Sequence, residues 1–470
     1  MNIAVIGGGA SGFFAAVNIS ESLNRSKHEI CIFEGSSKLL SKVLISGGGR
    51  CNITNAMSST DDFLKNYPRG EKELRQVFSR FNNTDLIKWF ESRGIKLKTE
   101  PDGRVFPESN SSETIVDFFN SCCNKSGVKI FTNHKLINID IISPQVLPSG
   151  ASVTVNETNN KFSLSFSNGN QYSADFVLIT TGGSSKPENF SFLKNTKHTI
   201  TPLLPSLFSF NIKRNTSFSN SGLGKQESNP AMTPEESNVC SKDSTKSPDS
   251  VGVERFLSLA GISVKNIQIT LSKKQNATGD ILITHNGISG PAVLKLSAFA
   301  AKELHKQNYN FSVYINWAFS HRITNQQIAL DTLKNLKQTL KNKTVSHNPQ
   351  FTIPHRLWEY LVSLSGIPSE TKWLNISSKQ LSNLAGNIFS FSLIISGKTT
   401  NKEEFVTCGG INLKEVDFKT MQSKLIPNIF FAGEVLDIDG ITGGFNFQSA
   451  WSTAYISANS IIRNILDLQT

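Results

Sequence analysis

The feature that most constrains this chain is its start, where the apolar run at 2–6 stops abruptly at Gly7-x-Gly9-x-x-Gly12. A run this short, with β-branched residues and no polar alternation, reads as a buried strand. Residues 10–23 read as a helix with Ala10, Ala15 and Ala16 on one side, and residues 28–33 as the next strand, ending before Glu34. Strand, glycine turn, helix and strand make one βαβ unit. The first glycine permits the tight turn, the second lets backbone approach a pyrophosphate, and the third lets helix and strand pack closely. A phosphate then sits at the helix N-terminus, where free N–H groups and the macrodipole favour an anion. Glu34 follows Gly12 by 22 residues, which places a carboxylate at a strand end for ribose hydroxyls. A dinucleotide site is expected.

Two later turns separate FAD from NAD. The buried strand at 175–180 closes in Thr181-Gly182-Gly183, which resembles flavoproteins in which a second glycine turn lies near the dinucleotide. Near the C-terminus, the strand at 428–432 closes in Gly433-Glu434, the place where two-dinucleotide-fold flavoproteins hold an acid for the ribityl or pyrophosphate region. Gly443-Gly444 then opens the last helix, about 446–464, whose free N–H groups can stabilise negative charge on a reduced flavin. The stretch Gly47-Gly48-Gly49-Arg50-Cys51-Asn52 is a costly, permissive backbone, expected where chain meets ligand closely. Arg50 is a candidate for the pyrophosphate. Cys51 is a candidate proton donor facing the flavin or, equally, a buried structural thiol.

The 470 residues exceed what one core holds, so two or three are expected. Hydrophobic residues at 38% and charged ones at 18% exclude global disorder or a collagen-like fibre. Helical patterns are expected around 72–93 and 111–124, and strands at 128–142, 151–156 and 161–167. Further strands are read at 206–213, 263–271, 280–284 and 310–317, and a helix at 326–343. Residues 215–251 are polar and expected to be disordered. His285, in the glycine-rich loop after the strand at 280–284, is a second candidate acid, although a lone histidine is more often structural. The net charge of +11 suits a polyanion or mere solubility. Residues 320–386 hold eight Lys/Arg against three Asp/Glu, which reads as a solvated face or an RNA-facing one. Six sparse cysteines without a Cys-x-x-Cys pair argue against a redox disulfide or a zinc site, and no metal is expected. The first residues lack a basic n-region and no long apolar run occurs, so neither a signal peptide nor a membrane span is expected, and the cytoplasm is the expected compartment.

At this point the sequence resembles the HI0933-like (YhiN/BaiN-type) flavoproteins, known as NAD(P)/FAD-dependent oxidoreductases. The resemblance rests on Gly-Gly-Gly-Ala-Ser-Gly at 7–12, Ser-Gly-Gly-Gly-Arg-Cys-Asn at 46–52 and Gly-Arg-Val-Phe-Pro at 103–107. It extends through Thr-Pro-Leu-Leu-Pro-Ser-Leu at 201–207, Thr-His-Asn-Gly-Ile-Ser-Gly-Pro at 284–291, Thr-Cys-Gly-Gly-Ile at 407–411 and the block at 432–446. It implies an α/β architecture: a Rossmann-like, two-dinucleotide-fold FAD domain split between 1–199 and 391–470. A mainly β domain at 200–320 and a small helical subdomain at 321–390 are inserted. The implied cofactor contacts are Gly7, Gly9, Ser11, Gly12, Glu34, Gly49, Arg50, Cys51, Asn52, Thr181, Gly182, Gly183, Gly433, Glu434, Gly443, Gly444, Phe445 and Asn446. The implied reaction is reduction of a C=C bond with NAD(P)H, including uridine to dihydrouridine in 23S ribosomal RNA. The alternatives are a small-molecule reductase or oxidase of the bile-acid or aminoacetone type, and a non-catalytic flavin-containing RNA-binding factor.

Overall fold

The computed structural model describes residues 1–142, 161–213, 248–400 and 406–469. The chain divides into two compact units. The first comprises Met1–Phe208, Ser297–His305 and Thr400–Thr470, and the second Ser209–Leu296 and Lys306–Thr399.

The first unit is built on a seven-stranded sheet. Five strands are parallel, in the order Lys129–Phe131, Glu29–Phe33, Asn2–Ile6, Phe176–Ile179 and Ile429–Phe431. Two short antiparallel strands extend the far edge. Side chains alternate between two cores, as the twofold strand period requires. Ile3, Val5, Ile30, Ile32, Phe176, Leu178 and Phe430 pack with Phe13, Phe14, Phe119 and Trp451 of the helices. Ala4, Ile6, Cys31, Phe33, Val177, Ile179 and Phe431 pack with Leu136, Ile139, Phe162 and Leu164 of a separate three-stranded sheet. Burial on both faces explains why these strands read as unbroken apolar runs. The unit is split as expected: the strand at 429–431 joins the N-terminal sheet, and the final helix, Phe445–Asp467, packs in the same core as the first, Ala10–Ser22.

Local chemistry redraws several expected boundaries. The pattern at 72–93 is two helices, Glu71–Phe78 and Asn83–Glu91. Asn82 caps the second, accepting from Thr84 N (2.8 Å) and Asp85 N (3.1 Å). The run at 128–142 breaks at Asn133, which has a left-handed φ of 58°, so its two halves join different sheets. Residues 151–156 lie outside the described residues. So does most of the 215–251 insert, but Pro248–Leu257 is a helix, which shortens the expected disordered stretch at its end.

The second unit contains a closed, antiparallel six-stranded barrel. Its strands run in the order 209–212, 287–289, 275–284, 263–272, 310–316 and 391–399, and the last pairs back onto the first. The strand at 391–399 therefore serves this barrel and not the dinucleotide sheet, so the C-terminal boundary falls at 400 where 391 was expected. The N-terminal boundary likewise falls at 208/209 and not 199/200. Among the described residues four α-helices lie wholly within this unit: Pro248–Leu257, Gln326–Thr339, His355–Leu364 and Ser378–Phe389.

Within the first unit one buried ion pair ties the chain's two ends together. Arg69 donates to both carboxylate oxygens of Asp439, to Ala298 O (2.6 Å) and to Ser206 Oγ (2.8 Å). Ser206 in turn donates to Asp439, whose side chain is fully buried. Two residues earlier, Asp437 accepts from Gly409 N (2.9 Å) and faces Lys302 at 3.7 Å. Burial pushes the Asp439 carboxyl up to about 6; Arg69 and Ser206 pull the other way and Asp437 adds a smaller upward push. The folded value therefore lies above the unfolded one of about 4. The corresponding stability is fully present below about pH 4 and is lost as pH rises through 6. Lowering the pH from 7 to 4 should raise the urea stability of the wild type relative to Asp439→Asn, by up to about 1.4 kcal/mol per pH unit between those two values. A difference that stays flat, or falls on acidification, would show that Asp439 is ionised throughout.

Candidate functional site

The site is built around the C-terminal ends of the parallel strands in the first unit. Gly7 takes a φ of +118°, and a Cβ there would meet the Thr180 carbonyl. A Cβ on Gly12 would strike the Gly7 carbonyl oxygen and stand 2.9 Å from Thr180 Oγ1. Gly9 differs from both. It caps the first helix in extended geometry, and a Cβ there would have no atom within 4 Å. Nothing in the protein itself requires a glycine at 9, whereas a phosphate approaching the backbone does.

Glu34 ends the second strand as expected. Its Oε2 accepts from Gly8 N and its Oε1 from Ser36 N, each at 2.8 Å. A carboxylate has about four lone-pair directions, so capacity for ribose hydroxyls remains. A cavity of about 310 Å³ opens here, lined by Gly7, Glu34, Lys135, Gly182, Gly183 and Phe190 among others. Gly182 has φ +75° and open space before it, and Thr181 is exposed beside it. These features fit a dinucleotide: an acid at one end, and open glycine backbone along the path.

The C-terminal turns meet the N-terminal ones. A Cβ on Gly433 would collide with Ser11 Oγ, and one on Gly183 would lie 2.9 Å from Glu434. Glu434 accepts from Thr407 N (3.0 Å) and from Lys42 Nζ (2.5 Å). Gly444 caps the last helix with no side-chain cap, so the first N–H groups of that helix keep no side-chain partner. The loop before it is held firmly. Asn446 accepts from Gly440 N and donates to Gly440 O, each at 2.8 Å. Tyr67 donates to Phe445 O at 2.6 Å. Asn52, with its amide turned to satisfy its neighbours, accepts from Gly444 N at 3.0 Å and donates to Thr54 O at 2.9 Å. Asn52, Gly444, Phe445 and Asn446 are therefore brought together.

Three expectations for the glycine-rich loop resolve differently. Gly47, Gly48 and Gly49 all have positive φ, and the last two have open space before them. Arg50 is already committed: Nη1 donates to Glu100 at 2.6 Å and the guanidinium sits 4.0 Å over the Phe106 ring. Glu100 also pairs with Arg104, so the Arg50 charge is only partly neutralised there. Cys51, itself left-handed at φ 58°, is fully buried in the helix-side core, and burial pushes its thiol up to about 12. A thiol sealed among apolar side chains neither faces a ligand nor delivers a proton to one, which corrects its candidacy as a catalytic acid and cofactor contact. His285 lies in the second unit, exposed in the turn between two barrel strands. Sequence reading missed Lys42, Thr407 and the Arg69–Asp439–Ser206 cluster. Thr407, Ser206 and Asp439 lie within the motif blocks quoted above and Lys42 and Arg69 outside them, but only the fold pairs each with its partner along the chain.

Comparison with known proteins covers nearly the whole chain. Ribosomal RNA dihydrouridine synthase of Haemophilus influenzae is 29% identical over 461 residues, with 98% of each chain covered. The protein of the same name from Escherichia coli is 28% identical, with 97% of each chain covered. A 3-dehydro-bile acid delta(4,6)-reductase of Clostridium scindens is 23% identical, covering 97% of this chain and 98% of its own. A match to the HI0933-like protein Rossmann domain runs from residue 1 to 460 and so takes in both ends of the split sheet; the chain belongs to that family of FAD-dependent oxidoreductases.

Proposed function

We propose that the chain reduces the C5–C6 double bond of a uridine in large-subunit ribosomal RNA, with FAD bound in the first unit and NAD(P)H as electron source. The observation that carries this reading is the open backbone at Gly9 and Gly182, set beside Glu34 in a unit whose C-terminal glycine turn is pinned in place. Two full-length relatives named for dihydrouridine synthesis in ribosomal RNA favour uridine over a free small molecule. Bound FAD would supply a hydride carrier between the nicotinamide and C6 of the uracil, and C5 gains a proton.

The chain's own part is to hold, orient and protonate. Glu34 would take the ribose hydroxyls. The N–H groups opening the first helix would take the pyrophosphate, with Lys42, held by Glu434, adding positive charge. The uncapped first turn of the last helix would stabilise negative charge on the reduced ring. A uracil in folded RNA must be unstacked to react. Of the two acids read from the sequence, Cys51 is sealed in the core and delivers no proton at C5.

The deciding experiment incubates the flavin-loaded protein and NADPH with ribosomal RNA from a strain lacking the gene. Dihydrouridine should appear in the large-subunit RNA. Flavin bleaching by NADPH without any dihydrouridine would defeat the RNA assignment and favour a small-molecule reductase.

Two glycines should behave oppositely. Gly9→Ala should melt within about 1 °C of wild type without cofactor yet bind FAD at least about tenfold more weakly. Gly12→Ala should lose about 1–3 kcal/mol of stability or more even without cofactor, because its methyl group has no room. Equal effects of both changes on the cofactor-free protein would contradict this division.

Cys51→Ala should keep the rate of flavin bleaching and of dihydrouridine formation within about twofold while losing about 1 kcal/mol in urea unfolding. A tenfold loss of rate at unchanged stability would return Cys51 to the chemistry.

A further inference from the structure

The basic helical region engages two of its lysines, while Lys341, Lys343, Lys372 and Lys379 are exposed. Lys334 pairs with Asp331 at 3.0 Å, and Lys337 donates to Ile376 O at 2.6 Å. Its histidines are disposed otherwise. Three of the chain's eight, His321, His347 and His355, are exposed in this one region. The rings of His347 and His355 stack with centroids 6.1 Å apart and planes 14° from parallel. His321 packs edge-on to Phe351 at 5.7 Å, and its Nε2 lies 3.2 Å from Thr352 Oγ1. One loop therefore gathers three imidazoles and a phenyl ring, with exposed Arg322 and Arg356 alongside.

Part of the group is engaged: Arg356 donates to Ser258 O at 2.6 Å and His355 has Glu359 of its own helix beside it. His355 and Arg356 begin the helix His355–Leu364, which has no acid in its first turn. Cations there oppose the helix dipole. The one acid facing the group is Glu359, 3.5 Å from His355. The loop is also held in shape. Asn348 donates to Thr344 O (2.7 Å), Gln350 to Asn348 O (2.9 Å) and Trp358 Nε1 to Val345 O (2.7 Å).

We propose that residues 347–356, with His321 and Arg322, form a surface on which unpaired bases of an RNA loop stack. This rests on the assignment of an RNA substrate and names the element that grips it. Sequence-specific binding of RNA targets splayed bases, which stack on aromatic rings, histidines and arginine planes. Here the rings are exposed, and the exposed lysines, with the excess of eight basic over three acidic residues across 320–386, add attraction to phosphate without supplying the base contact.

The test uses the full flavin-loaded protein and large-subunit ribosomal RNA from the deletion strain, with binding measured by filter retention across a salt series. The triple change His321→Ala, His347→Ala and His355→Ala should weaken binding about tenfold or more, with the salt slope unchanged. Replacing the same three residues by Phe, which keeps a flat ring and no charge, should restore most of the affinity. Bleaching by NADPH should be the same in all three proteins. Wild-type binding by the alanine variant overturns the inference; if the wild type still forms dihydrouridine, the substrate assignment stands. A lowered salt slope without rescue by Phe means phosphate contact and also overturns stacking. A wild type that neither binds nor modifies the RNA removes both. Should the alanine variant fail to fold, amide exchange of the wild type decides: protection of 344–356 by RNA supports the surface, and none overturns it.

Discussion

The architecture of the first unit depends on one steric constraint, the absence of a side chain at Gly12. A methyl group there would occupy the place of the Gly7 carbonyl oxygen. Without it, the first helix lies close against the first strand, and its N-terminus stands over the strand ends. Thr180 braces the same corner from the neighbouring strand: its hydroxyl lies 2.9 Å from Ile6 O and 3.0 Å from Gly7 O. The other turns are then placed by contact with this corner. Gly433 must be small because Ser11 fills its side, and Gly183 because Glu434 and Thr407 fill its own. The site is thus a set of close backbone approaches before it is a set of functional groups.

That ordering explains what the sequence disclosed. Close approaches leave glycines at fixed spacings, so the turns at 7–12, 181–183, 433–434 and 443–444 were legible, and so was Glu34 at its strand end. The parallel strands were legible because burial on both faces makes them uniformly apolar. Four of the barrel strands were read one by one, but the short strand at 287–289 and the closure of the barrel were not. Nothing local in residues 391–399 reveals that they pair with 209–212. The side-chain partners in the glycine-rich loop were not legible for a related reason. Arg50 and Cys51 are adjacent and both looked functional, yet one is claimed by Glu100 and Phe106 and the other by the core. Composition and spacing do not report which partners a fold supplies.

Contacts between the chain ends solve a problem that the split itself creates. The segment carrying the last glycine turn must return to the first sheet across a long insertion, and strand pairing at 429–431 covers only three residues. Asp437 and Asp439 supply what that short pairing lacks. One is held by the Gly409 backbone and the other by Arg69 and Ser206, so two carboxylates fix the approach to the turn from different sides. A buried ion pair adds little net stability against an apolar alternative, because both charges lose water. Its gain is geometric: the bidentate fork accepts one orientation, and a hydrophobic contact would accept many.

Charge illustrates the same difference between amount and placement. The chain's surplus of eleven positive charges is a property of the whole sequence, and such a sum predicts encounter with a polyanion without predicting where it docks. Placement decides that. Lys42 is paired with Glu434, Lys334 with Asp331, and Arg50 and Arg104 share Glu100, so these cations are partly neutralised within the protein. What a partner meets at such sites is a weaker field than the sum of charges suggests. A reductase acting on one base of a large RNA gains from that arrangement, because unspecific phosphate attraction would hold every site on the RNA equally, while stacking rewards only the bases that are already unpaired.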